Sequence, residues 1–190
     1  MIAFFKKKPS LAELIPKGYI DIHSHILPGI DDGAKDASET QKLVEDMKAL
    51  GFAKCIATPH TLPHVWDNTT ASITKALDLA KKELPIELGE MIYKASSEYM
   101  MEGSFIERIK TEKLLTIKDN KVLVEMSYLN PPMDLKNILF ELQINGYEPI
   151  LAHPERYVFY HGNVKEYEKL IELGCEFQVN LLSTVGYYGK

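Results

Sequence analysis

Along most of the chain, short β-rich runs alternate with segments of helical spacing. Tyr19–His25 (YIDIHSH) alternates its side chains between two faces, the period of a strand. Over about 38–50, Leu43, Val44, Met47 and Leu50 recur at helical spacing, with Asp36 and Glu39 placed as a capping-box entry and Gly51 as a stop. The alternation continues with strands predicted at 53–60, 86–98, 121–127, 149–153 and 175–182. Helices are predicted at 69–83, near 103–110, at 134–146 and at 163–174, the last two ended by Gly146 and Gly174. The run KVLVEMS (121–127) has few polar positions, as expected of a strand covered on both faces. About six β/α units without repeat or linker predict an α/β fold with a mostly parallel sheet and right-handed crossovers. Residues 1–18, with Lys6, Lys7 and Lys8 in a row, read as a flexible or docking arm, although Lys-rich termini are usually just solvated.

Composition narrows this picture. A chain of 190 residues builds one domain, but an eight-unit barrel needs roughly 250 residues, so this chain is short for a closed one. A formal charge of -5 argues against a general nucleic-acid binder; a phosphorylated substrate would need metal ions or a placed Arg. The two cysteines, Cys55 and Cys175, sit in apolar runs and read as reduced and buried. No apolar stretch reaches the roughly 18 residues needed to span a bilayer. The N-terminus, with its apolar patch ahead of its lysines, reverses the order of a secretory signal. A cytoplasmic protein without stable membrane insertion is the expectation.

Chemistry gathers at the strand ends. His23 and His25 end the first predicted strand, His60 the second, and Glu98 follows the third; Glu125 ends the fourth and His153 the fifth. In parallel α/β folds those ends converge on one mouth where sites are built. Asp21, His23 and His25 share a strand face, and two imidazoles about 7 Å apart can grip one cation. Asp31 and Asp32 follow in a Gly-flanked loop that is either an ordinary turn or brings one carboxylate back onto a metal. Glu125 lies in an apolar run and must be paired or bound to a cation. Arg156 in His153-Pro-Glu-Arg156 is a fork for phosphate oxygens, or else a partner of Glu155 or Glu98. His64 is either near the site, where it would contact substrate, or exposed; His161 sits in a polar loop outside the pattern. Tyr128, Tyr157 and Tyr160 are able to flank an aromatic substrate, though tyrosines beside loops more often pack. Imidazoles and carboxylates without thiolates suit Mn, Zn or Fe. Six or seven ligands suit two or three ions, which together polarise a phosphoryl group and activate water.

DIHSHILPGIDDGA, ATPH, the Glu in SSEYM, LVEMSY and LAHPERY resemble the polymerase-and-histidinol-phosphatase (PHP) superfamily, and within it the bacterial capsular and exopolysaccharide tyrosine-protein phosphatases. The resemblance runs from Tyr19 onward. It implies a PHP-type metallophosphoesterase domain over 19–190, a distorted (β/α)7-type barrel with a trinuclear, often manganese-dependent centre that hydrolyses phosphotyrosine. By motif, His23 and His25 would hold the first ion and Glu98 would bridge to a second. Glu125 and His153 would complete the second ion's ligands, His60 with Asp31 or Asp32 would hold the third, and Arg156 would bind the phosphate. The implied partner is a phosphotyrosine protein, such as the tail of a bacterial tyrosine kinase. Family members carry a further Asp-x-His motif that does not occur after His153, so the sequence is expected to lack the barrel's C-terminal unit. Two other functions stay open: hydrolysis of small phosphomonoesters such as histidinol phosphate, and a non-catalytic role beside polysaccharide-assembly machinery.

Overall fold

The computed structural model describes residues 10–188. Lys6 to Lys8 lie outside them, and within the predicted arm Leu11–Leu14 forms one helical turn, α1. The strands are β1 (Ile20–Ser24), β2 (Lys54–Ala57), β3 (His60–Thr61), β4 (Ile92–Ala95), β5 (Glu98–Met100), β6 (Lys121–Glu125), β7 (Glu148–Ala152) and β8 (Glu176–Gln178). Between them run α2 (Ala37–Leu50), α3 (Thr70–Glu83), α4 (Ile86–Gly89), α5 (Phe105–Thr111), α6 (Leu135–Ile144) and α7 (Val164–Glu172). Every strand pair is parallel, in the orders β1-β2-β4 and β3-β5-β6-β7-β8.

Two predicted strands break in the middle, and the breaks create the two sheets. The run 53–60 is interrupted at Thr58-Pro59, where Pro59 has no N–H to give to a ladder. The run 86–98 is interrupted at Ser96-Ser97, and its first residues form α4 instead. Single bonds carry the ladder across: the Thr58 N–H donates to Ser24 O (2.8 Å), Ser96 to Ala57 O (2.7 Å) and Glu98 to Pro59 O (3.0 Å). Strand order therefore still follows the predicted units, with a bend where one sheet hands over to the next. The last predicted strand is also shorter: β8 ends at Gln178, and Leu181–Val185 turns as a 3-10 helix.

Helix ends follow their sequence signals. The Asp36 side chain accepts from Glu39 N (3.0 Å), and Gly51 closes α2 at φ 101, a left-handed conformation glycine adopts without strain. Alternation along β6 sends Val122 and Val124 to one core and Leu123 to another, all three fully buried. The inner core of Ile56, Leu123, Ile150 and Ala152 packs between the strands. Each such buried aliphatic contributes roughly 1.5–3 kcal/mol. One step beyond Leu123 on the same face lies Glu125, so the apolar interior gives way directly to ionisable groups.

Candidate metal centre

The centre is organised around Glu98, which is 0% exposed. Glu98 opens β5, beyond the Ser96-Ser97 break. Its Oε1 lies 2.9 Å from His153 Nε2. Its Oε2 lies 3.1 Å from His23 Nε2, 3.3 Å from His25 Nε2 and 3.2 Å from His60 Nδ1. Glu125, the last residue of β6, sets Oε1 2.7 Å from His60 Nδ1. Ser24 anchors β1 on the opposite side by donating from Oγ to Ile56 O (3.0 Å), which leaves His23 and His25 on the site face. The strand-end pattern read from sequence thus brings His23, His25, His60, Glu98, Glu125 and His153 together.

Of the two loop aspartates, Asp31 is fully engaged: Oδ2 accepts from His25 Nδ1 (2.7 Å) and His60 N (3.0 Å), and Oδ1 from Gly33 N (3.0 Å). Asp32, with a 60% exposed side chain, approaches His60 Nε2 at 3.6 Å from the open side. Gly33 permits the close turn, since a Cβ there would stand 2.0 Å from His25 O.

Electrostatics follow from this crowding. Burial opposes charge on His25, but hydrogen bonds from its ring to the carboxylates of Asp31 and Glu98 outweigh it and raise its pKa to about 10. Burial opposes charge on His60 too, and contact with Glu125 raises its pKa. Glu98 would be pushed up by burial, yet the imidazoles of His23 and His153 hold it well below the usual carboxylate range. Asp21, on the same strand as His23 and lining the same cavity, is raised to about 6 by burial, with Oδ2 unpartnered.

Arg156 pairs with neither Glu155 nor Glu98. Its guanidinium lies 4.7 Å over the Tyr128 ring and 4.4 Å over Tyr188, while Glu155 accepts from Asn180 N and Ser183 Oγ. Tyr128 stacks on His153 at 5.6 Å. Tyr157 and Tyr160 are buried packing residues, and Tyr157 OH accepts from Met126 N (2.9 Å). His64 is exposed at φ 66 and lines a neighbouring groove with Leu62, Met100 and Pro132 instead of the main cavity. His161 is exposed and bonds to Glu155 O (2.8 Å).

Three residues outside the sequence-predicted set also shape the site. Trp66 stacks on His60 at 4.9 Å and 14°. Asn68 donates from Nδ2 to both Ile30 O (2.9 Å) and His60 O (2.8 Å), tying the aspartate loop to β3. Gln178 Oε1 sits 2.7 Å from His23 Nδ1. None belongs to a motif; the one hint is position, Asn68 directly before a capped helix and Gln178 at the end of a strand.

The residues present fit divalent ions. Three groups bring their ligand atoms within 4.8 Å of one another: His23-Glu98-His153, His25-His60-Glu98 and His25-Asp31-Asp32. Glu98 Oε2 makes no well-aligned hydrogen bond despite three imidazole nitrogens within 3.3 Å. His153 Nδ1 is also buried without a partner. A buried acceptor facing converging nitrogen lone pairs is what a cation satisfies. A cavity of about 670 Å³ opens over these groups, lined also by Asp32, Tyr128 and Arg156.

A parallel α/β sheet with interlocking imidazole–carboxylate groups at its strand ends defines the class, an α/β protein built around a candidate multinuclear metal site. The profile of the family "Capsular polysaccharide synthesis, CpsB/CapC" matches residues 19–190, and the chain belongs to that family. It is similar to the tyrosine-protein phosphatase YwqE of Bacillus subtilis (strain 168), 32% identical over 172 residues, 90% of this chain and 68% of that protein. The tyrosine-protein phosphatase CpsB of Streptococcus pneumoniae is 27% identical over 165 residues, covering 85% of this chain and 67% of that one. Among solved structures, one from a study of YwqE and CpsB as "unique metal-dependent tyrosine phosphatases" superposes with a TM-score of 0.80 at 31% identity, covering 90% of this chain and 70% of that chain. Among the described residues no helix is long and apolar enough to cross a membrane.

Proposed function

We propose that this chain is a metal-dependent protein-tyrosine phosphatase of capsular or exopolysaccharide synthesis. The observation that carries the reading is the convergence of four imidazoles on the fully buried Glu98 at the strand ends. His23, His25, His60, Glu98, Glu125, His153 and Asp32 would hold two or three ions. Asp32 is preferred over Asp31 because Asp31 already accepts three hydrogen bonds that orient His25 and His60. Manganese is favoured by the N/O donor set, with zinc or iron as the other fits. The strand order, and the side-chain bond that joins β1 to β8, support a distorted PHP-type barrel.

When bound, such ions supply Lewis-acid polarisation of a phosphoryl oxygen and a lowered pKa for attacking water. Arg156, beside the cluster, offers a planar fork for the remaining phosphoryl oxygens. Tyr128, 43% exposed at the mouth, presents a face to an aromatic leaving group. Asp31 and Asn68 hold His25 and the aspartate loop in place. Neither thiol supplies a nucleophile: burial pushes both Cys55 and Cys175 up to about 12. The substrate is a phosphotyrosine protein, with a bacterial tyrosine kinase tail as the named candidate.

The test is hydrolysis of a phosphotyrosyl peptide before and after chelation. EDTA is expected to abolish phosphate release and added Mn to restore it. Turnover that survives exhaustive chelation overturns the reading.

A further inference from the structure

We propose that Gln178 is a positioning residue that fixes the tautomer of His23, so that His23 presents the Nε2 lone pair to the ions; this rests on the metal-centre reading above. The orientation of its amide is set independently of His23. The backbone N–H of His153, an unambiguous donor, points at Gln178 Oε1 at 3.4 Å. Gln178 Nε2 donates to Asn180 Oδ1 at 3.0 Å. Flipping the amide would set two donors against each other at His153, and the Asn180 amide is in turn oriented to accept from Gln178.

With Oε1 thus fixed as an acceptor, the 2.7 Å contact to His23 Nδ1 requires a proton on Nδ1. Nε2 is then the nitrogen left to give a lone pair to an ion, and it lies 3.1 Å from Glu98 Oε2 and 3.3 Å from His25 Nε2, inside the cluster. Metal-binding histidines generally need such a partner behind the ring, and losing it typically weakens metal binding 10–100-fold. Here that partner is a neutral amide on β8, the strand that faces β1 across the cavity. Asn180 extends the support, its N–H donating to Glu155 Oε1 (3.1 Å), next to Arg156. The end of β8 and the turn after it therefore orient a ligand on β1 while anchoring the loop that carries Arg156.

The experiment combines two readouts on the full chain. Mn is titrated calorimetrically into the unsubstituted chain and into Gln178→Leu and Gln178→Glu, the second of which keeps an acceptor at the same length. In parallel, ¹⁵N NMR of the metal-free chain, with His23→Gln for assignment, reads the His23 tautomer. Gln178→Leu is expected to bind Mn about 10–100-fold more weakly, with Gln178→Glu within about threefold of the unsubstituted chain. His23 is expected as the Nδ1–H form. Equal affinity in Gln178→Leu, or an Nε2–H His23, overturns the role of Gln178 and leaves the metal centre standing. An unsubstituted chain that binds no Mn overturns the metal centre itself, and this role with it. If Gln178→Leu does not fold, the tautomer measurement and Gln178→Glu still decide: weak Mn binding by a folded Gln178→Glu counts against the role.

Discussion

Arg156 lies between the faces of Tyr128 and Tyr188, where a planar cation stacks and an ammonium does not. Arg156→Lys keeps the charge and loses both the stacking and the two-pronged fork. Its kcat/KM for phosphotyrosyl peptide is expected to fall roughly 10–100-fold, about 1.4–2.8 kcal/mol of transition-state stabilisation, with Mn affinity unchanged by calorimetry. The cysteines give a pH prediction. Their thiols ionise near 9 when unfolded and about 12 when folded, so above pH 9 the unfolded chain loses protons first and stability falls as pH rises. Urea midpoints measured from about pH 8 to 11 are expected to decline, and less so in a Cys55→Ala, Cys175→Ala variant. At this scale the sequence revealed the residues whose type is chemical in itself: imidazoles and carboxylates recurring at strand ends. It hid Asn68 and Gln178, because an amide looks the same in the sequence whether it orients a ligand or faces water.

The break at Thr58-Pro59 decides what His60 can reach. An unbroken strand over 53–60 would keep His60 in register with its neighbours. Interrupting the ladder lets β3 restart beside β5, pairing His60 with Glu98. The sequence showed Pro59 but not that a second interruption at Ser96-Ser97 would accompany it, since two serines are ordinary strand residues until a bend is imposed by the neighbour. The element that follows offers a paired test. Thr69 and Ser72 form a reciprocal capping box at the start of α3, and Asn68, one residue earlier, holds Ile30 and His60. Thr69→Ala is expected to cost about 1 kcal/mol in urea unfolding and to leave kcat unchanged. Asn68→Ala is expected to lower Mn-dependent turnover more than its stability loss explains. Equal kinetic effects from the two would show that the helix start matters only as structure.

At the scale of the molecule, the ligand set draws on both sheets: His23 and His25 come from β1 and its exit, His60 from β3, Glu98 from β5, Glu125 from β6 and His153 from the end of β7. The α/β class and the unit order were legible because alternation of period and helix stops repeat along the chain. The sheet's division was not, because it depends on contacts between distant strands. Loading the site therefore couples β1, in one sheet, to β3, β5, β6 and β7, which are paired in the other. The chain also carries its own optical reporter of that event. Its one tryptophan, Trp66, stacks on His60, whose raised pKa favours the imidazolium in the metal-free protein. An imidazolium quenches indole emission by electron transfer at contact distance, and a His60 that has exchanged its proton for an ion interacts differently with the excited ring. Emission followed during Mn titration is expected to change saturably and to reverse with EDTA, with no response from His60→Ala. With only one indole in the chain, intrinsic fluorescence reads this site directly, without any attached label.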